Sequence, residues 1–128
     1  MIDVLNAIPY ARFLGVGVER PTGTLECVLP FRDEIVGNPM LPAVHGGVIG
    51  AFLELTAILR LIDESGTDKV PKPINFAIDY LRSAGPNTTR ARADIFKLGR
   101  RVAVVHVIAW QDDPLRPVAS GNGKFLLE

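Results

Sequence analysis

The sequence predicts an α+β domain in which an antiparallel sheet is wrapped around one long, apolar helix. The first observation is the run "VHGGVIGAFLELTAILRLI", which predicts a helix over residues 45–62. The second is a series of four strand-like runs joined by short turns: "INFAIDYLRS", "TTRARADIFKL", "RRVAVVHVIAWQ" and "RPVASGNGKFLLE". Short strands joined by short turns predict an antiparallel meander, and a lone apolar helix needs such a sheet to cover it.

The remaining elements follow from local signals. Residues 2–13 predict a short amphipathic helix, which Pro9 tightens or ends. The run "GVGVERPTGTLECVLPF" predicts a hairpin with its turn at Pro-Thr-Gly, and residues 32–43 predict a loop because they are rich in Gly, Asn and Pro. The run "RRVAVVHVIAWQ" is apolar on both faces, which predicts a central strand.

Length and composition predict one domain over residues 1–128, since 48% of the residues are apolar and can form a core. The net charge of zero argues against a nucleic-acid partner. Cys27 is the only cysteine, so neither a disulfide nor a cysteine metal cluster is expected. The N-terminus lacks a signal-peptide pattern, and charges within the long helix argue against a membrane span. We therefore expect a cytoplasmic protein without a metal.

The start and the middle of the long helix carry the candidate chemistry. The N–H groups of Gly46 and Gly47 can face a ligand, because a helix N-terminus offers unpaired donors and partial positive charge; close packing alone also favours glycine there. Glu54 has no Lys or Arg three or four positions away, so burial would raise its pKa. The alternative is a Glu on an exposed or partner-facing stripe.

Gly46 and Glu54 are eight residues apart, which is about 12 Å along a helix. One reacting carbonyl cannot contact both groups of the same helix, since each contact requires about 3 Å. A symmetric dimer with antiparallel helices side by side would instead place Gly46 of one chain near Glu54 of the other, twice. The spacing therefore predicts a site at a subunit interface.

The segment "NPMLPAVHGGVIGAFLELTA" resembles the helix signature of hotdog-fold acyl-CoA thioesterases of the phenylacetyl-CoA and 4-hydroxybenzoyl-CoA thioesterase group. The shared pattern is an Asn, here Asn38, a His-Gly-Gly beginning at His45, and an acidic residue nine positions after the His, here Glu54. The later strands, including the "GRR" turn and "VASGNGKF", also match, so the resemblance covers about residues 25–127. It implies a hotdog fold, a homodimer or dimer of dimers, and an acyl-CoA substrate with no separate cofactor.

The resemblance also implies roles for single residues. The Gly46 N–H would polarise the thioester carbonyl, and Glu54 of the other chain would act as nucleophile or as general base on a water. Asn38 would orient that water, although it stands seven residues before His45 where the family has six. His45 would cap the helix or orient the loop, with proton transfer as the alternative, and Gly47 would contact the substrate.

Basic residues at one hairpin turn are the candidates for coenzyme A, since relatives use this turn for that purpose. Lys97, Arg100 and Arg101 flank Gly99 in that turn, where exposed basic residues are also common without a ligand. Asn75 lies on a strand rich in apolar residues and would line the pocket or the dimer interface.

Two other functions remain open at this stage. A non-catalytic acyl-CoA-binding module would keep the pocket and the basic turn but would not depend on Glu54. A hotdog dehydratase or hydratase would need a catalytic His in the loop before the helix, where this chain has Asn38.

Overall fold

The computed structural model describes residues 1–128. Its helices are α1 (Ile2–Ala7), α2 (Pro9–Leu14) and α3 (Gly46–Ser65). Its strands are β1 (Gly17–Glu19), β2 (Glu26–Leu29), β3 (Val36–Asn38), β4 (Ala43–Val44), β5 (Lys72–Tyr80), β6 (Thr89–Leu98), β7 (Val102–Trp110) and β8 (Ala119–Leu126).

Six strands form one antiparallel sheet in the order β1-β2-β6-β7-β8-β5, and α3 packs across one face of it. The sheet side of the core is lined with small residues of β6 and β7, such as Ala91, Ala93 and Ala103, which are fully buried. Small side chains there leave room for Phe52 and Leu59 of the helix, also fully buried. The predicted α+β hotdog architecture, with a long central helix and a curved sheet, is confirmed.

The predicted meander is wrong for β5. This strand pairs with β8, not with β6, and it forms an edge of the sheet. The pairing of β5 with β8 is anchored where the chain leaves β5, because the N–H groups of Leu81 and Arg82 both donate to the carbonyl of Val118, the residue before β8. By contrast β7 lies between β6 and β8, so the prediction of a central strand is confirmed.

The first half of the chain differs in two places from the sequence-based prediction. The N-terminal helix is split, because Ile8 before Pro9 takes an extended conformation with φ −97° and ψ 106°. Residues 32–43 are not wholly loop, since β3 and β4 pair and a 3-10 turn covers Asp33–Ile35. The predicted hairpin exists as the antiparallel pair β1–β2.

No helix is both long and apolar enough to cross a membrane. No group of three or more His, Cys, Asp or Glu side chains is arranged to hold a metal ion. Cys27 is fully buried, and burial raises the pKa of its thiol to about 12, so no thiolate is available for chemistry.

Candidate active site

The start of α3 is held in place by contacts from three directions. The N–H of Val44 donates to the carbonyl of Ala84, and the N–H of His45 donates to the carbonyl of Ile35, both at 2.8 Å. The imidazole Nδ1 of His45 accepts the N–H of Gly47 at 2.8 Å, so His45 is the N-cap of the helix. Because Nδ1 accepts this bond, the proton of the neutral ring is on Nε2.

Gly46 supplies the open donor of the helix start. Its N–H has no acceptor within the chain, whereas the N–H of Gly47 is taken up by His45. Gly46 is exposed and lines a cavity of about 370 Å³, together with Tyr80, Leu81 and Arg82 among others. An unpaired N–H at a helix N-terminus, on a residue that lines a cavity, can hold a carbonyl oxygen or an anion.

Glu54 is a half-buried carboxylate without a partner. It makes no ion pair or hydrogen bond within the chain, and burial raises the pKa of its side chain. It shares one side of α3 with Gly47 and Ala51, which are also not buried. This side of the helix is therefore available to a second molecule.

Asn38 and Asn75 lie on strands outside α3 and make no contact by hydrogen bond with Gly46 or Glu54. The side-chain oxygen of Asn38 accepts the N–H of Met40 at 3.0 Å, which uses it to close the turn between β3 and β4. Asn75 is exposed on β5, beside the bulge between Pro73 and Asn75.

The basic turn lies far from the Gly46 of its own chain. Lys97, Gly99, Arg100 and Arg101 lie at the β6–β7 turn, while the start of α3 lies near the other ends of these strands. The pairs Leu98↔Ala103 and Arg90↔Trp110 mark the two ends, roughly 25 Å apart at the rise of an extended strand. Arg101 pairs with Glu128 at 2.9 Å, while Lys97 and Arg100 have no carboxylate partner within the chain.

Two features of the site were not predicted from the sequence. The Tyr80 hydroxyl donates to the carbonyl of Gly46 at 2.8 Å, and a second cavity of about 350 Å³ adjoins the first. The cavities share Arg82, Ser83 and Val118, and the second also contains Arg116. The alternation of Phe76, Ile78 and Tyr80 along β5 was the available signal for Tyr80, since it places all three toward α3.

A central helix wrapped by an antiparallel sheet, with an open glycine N–H at the helix start, is the architecture of hotdog-fold thioesterases. The family model described as thioesterase superfamily matches residues 41–118, which include α3 and the strands β5, β6 and β7. The chain belongs to the thioesterase superfamily, and it is a thioester hydrolase.

Individual relatives are similar to this chain over nearly its whole length. The medium/long-chain acyl-CoA thioesterase YigI of Salmonella typhimurium is 27% identical over 94% of this chain and 86% of its own length. A crystal structure from Chromobacterium violaceum is 38% identical, with a TM-score of 0.79 over 98% of this chain and 88% of that one. A Bacillus halodurans protein crystallised with CoA is 26% identical, with a TM-score of 0.80 over 99% and 88%.

Proposed function

We propose that this protein hydrolyses acyl-CoA thioesters to the free acid and CoA at a site shared by two protomers. Gly46 of one protomer supplies the oxyanion donor, and Glu54 of the other supplies the carboxylate. The observation that carries the proposal is the pair of unsatisfied groups on α3, an open N–H and an unpartnered carboxylate, about 12 Å apart. The names of YigI and of the CoA-bound relative support acyl-CoA as the substrate.

The Gly46 N–H acts on the thioester carbonyl. When a nucleophile adds to the carbonyl carbon, negative charge develops on the oxygen, and a fixed N–H at 2.7–3.1 Å from that oxygen stabilises it. The positive end of the α3 dipole adds to this effect. The N-cap formed by His45 holds the first turn before the substrate arrives, so little reorganisation accompanies the reaction.

Glu54 activates the attack. As general base, its carboxylate takes a proton from a water whose oxygen bonds to the carbonyl carbon; the C–S bond then breaks and the CoA sulfur receives the proton. As nucleophile, the carboxylate bonds to the carbonyl carbon, the C–S bond breaks and CoA leaves as the thiolate; water then cleaves the resulting anhydride, which frees the acid and Glu54, and the released proton ends on the CoA sulfur. The raised pKa of Glu54 makes it a stronger base than an exposed Glu, and either course ends with acid and thiol.

The edge strand β5 supports the pairing of two protomers. Its outer edge has no partner within the chain, and an exposed, nine-residue edge strand is a template for pairing with another chain. Ile74 and Tyr80 on this strand are 54% and 56% exposed. Antiparallel pairing of two β5 strands would bring two α3 helices side by side, which covers Glu54. A dimer of dimers stays a prediction from the family resemblance.

Coenzyme A would bind along the cavities and reach the second protomer. Arg82 lines both cavities, of which the first also contains Gly46 and the second Asp112 and Asp113. It forms no ion pair within the chain, so its guanidinium is free for a phosphate. When the β5 strands pair antiparallel, the basic turn of the second protomer lies at the same end as Gly46 of the first. Lys97 and Arg100 of that turn are the free cations that would meet the nucleotide phosphates.

A panel of acyl-CoAs tests the activity, with released thiol as the readout. Phenylacetyl-CoA, octanoyl-CoA and palmitoyl-CoA sample aromatic, medium and long acyl groups, and EDTA should leave the rate unchanged because water is the only co-reactant. Glu54→Ala should lower kcat at least about 100-fold, since positioned acid–base groups contribute 10²–10⁴. Glu64→Ala, on the same helix but exposed, is the matched control and should retain the wild-type rate.

Two results of this assay would contradict the proposal. Turnover by Glu54→Ala at the wild-type rate would remove Glu54 from the mechanism. Binding of CoA without turnover of any acyl group, measured by calorimetry on the wild-type protein, would instead favour a non-catalytic acyl-CoA-binding module.

A further inference from the structure

We propose that Tyr80 is a positioning residue for the thioesterase reaction, which fixes the oxyanion donor Gly46 through a hydrogen bond to the Gly46 carbonyl. The inference rests on the proposed function of Gly46. The phenol hydroxyl of Tyr80, the last residue of β5, crosses to the first turn of α3 and donates to that carbonyl at 2.8 Å. It is the side-chain hydrogen bond that ties this turn to the sheet.

Three consecutive residues at the helix start are each held by a different part of the chain. The N–H of Val44 is bound by Ala84, the N–H of His45 by Ile35, and the carbonyl of Gly46 by Tyr80, each at 2.8 Å. The first two bonds fix the approach to the helix. The bond from Tyr80 fixes Gly46, the residue whose N–H has no acceptor within the chain and which lines the cavity.

The glycine content of the first turn explains why such a tie is needed. Gly46, Gly47 and Gly50 have no side chains to pack, so this turn is freer to move than an ordinary helix start. The Tyr80 ring fills part of the missing volume: a methyl group added at residue 46 would lie 3.5 Å from it. The hydroxyl also reaches over Gly50, within 3.3 Å of where its methyl group would be.

The chemical consequence concerns the transition state more than substrate binding. An oxyanion donor is effective only within a few tenths of an ångström of its optimal distance, and misplacement of a catalytic group by about 1 Å can cost 10²-fold. Tyr80 contacts the Gly46–Gly47 peptide unit, whereas the catalytic N–H belongs to the His45–Gly46 unit. It therefore acts through the position of the helix start and not on the substrate atoms.

The test compares Tyr80→Phe with Tyr10→Phe, since these are the two tyrosines of the chain. Tyr10 is also exposed and stacks on Phe13, so its variant removes the same hydroxyl at a site unrelated to α3. With the best acyl-CoA of the panel, Tyr80→Phe should lower kcat by about 10-fold and leave KM within about two-fold, as expected for a transition-state effect. Its thermal unfolding midpoint should match that of Tyr10→Phe.

A second readout does not depend on turnover. In a ¹H–¹⁵N spectrum, the amide resonance of Gly46 should shift in Tyr80→Phe and stay in place in Tyr10→Phe. An unchanged Gly46 resonance would overturn the inference about Tyr80. This failure differs from failure of the proposed function, which would appear as no hydrolysis of any substrate, because the spectrum can be recorded in either case. Wild-type kcat in Tyr80→Phe, a rise in KM alone, or a loss of activity that follows the unfolded fraction would also overturn the inference about Tyr80.

Discussion

Glu54 occupies the middle of the most apolar element of the chain without a cation or a hydrogen-bond donor beside it. A half-buried carboxylate in this position is unfavourable in its ionised form, and burial accordingly raises the pKa of Glu54. Nothing in the fold of a single chain requires the charge. The cost is explained if the carboxylate works as a base in the reaction.

Glu54→Gln should make the protein more stable and less active. Because the pKa of Glu54 is raised in the folded state, folding favours its protonated form, and the free energy of unfolding falls as pH rises from the ordinary Glu value, about 4.3, through the raised value. The neutral amide avoids this loss. Urea unfolding at a fixed protomer concentration should show variant and wild type diverging as pH rises through this window, then differing by a constant amount.

The same samples provide the activity measurement. Glu54→Gln should lose at least about 100-fold in kcat, which is the usual exchange of stability for function at a catalytic group. A stability difference that does not change with pH would contradict the assignment of the raised pKa to Glu54.

At the scale of elements, contacts within the chain bear on two of the three glycines in the first turns of α3: β5 packs over Gly50, and the N-cap His45 packs over Gly47. A methyl group at residue 50 would lie 2.8 Å from Cδ1 of Ile78, and one at residue 47 would lie 3.0 Å from the imidazole of His45. At residue 46 the nearest atoms are 3.5 Å away, an ordinary contact. No contact within the chain requires glycine at residue 46, which is consistent with the role proposed for its N–H.

A pair of alanine substitutions separates these reasons. Gly46→Ala should keep the unfolding midpoint of the wild type, because its φ is not positive and the site has room, yet lower kcat/KM at least about 10-fold by obstructing the donor. Gly50→Ala should instead keep the wild-type activity and change the free energy of unfolding by no more than about 1 kcal/mol, because the flexible Cδ1 end of Ile78 can move aside and alanine favours a helix by about 1 kcal/mol. Thermal unfolding and the thiol assay measure both; full activity in Gly46→Ala would remove the oxyanion role.

The bounds of α3 also show how tertiary contacts extend an element. The apolar pattern ends at Ile62, but the helix continues to Ser65 and stops at Gly66, which takes φ +66°. Asp63 in this last turn forms two hydrogen bonds with Arg20, at 2.9 and 2.6 Å. This ion pair with the β1–β2 turn holds the polar last turn of α3 in a helical conformation. Apolar periodicity does not predict this extension, because the residues after Ile62 are polar.

At the scale of the whole molecule, the two groups of the proposed site lie on one helix, about 12 Å apart along its axis, so they cannot act on the same carbonyl within one chain. In the proposed dimer, the edge strand β5 and the half-exposed side of α3 would face the second protomer, which would complete each site. Activity should therefore depend on the dimer, with two equivalent sites related by the two-fold axis.

A heterodimer of two inactive variants tests the shared site directly. Gly46→Ala and Glu54→Ala protomers, carrying different affinity tags, are co-expressed and the mixed dimer is purified. One of its two sites then has both an intact Gly46 and an intact Glu54, so about half of the wild-type activity should return. If both groups served a site within one chain, every site would stay defective and the mixed dimer would be inactive.

The amino-acid sequence by itself determined the long helix, its glycine start, the unpartnered Glu54 and the strand-like runs of the second half. These features are local, because apolar periodicity and helix geometry operate within a few turns of the chain. The tertiary structure alone decided that β5 leaves β6 for the edge beside β8, that Tyr80 reaches Gly46, and that the basic turn lies far from its own Gly46. Each of these depends on which distant segments pair, and hydrogen bonds between strands carry no signature in the sequence of either strand alone.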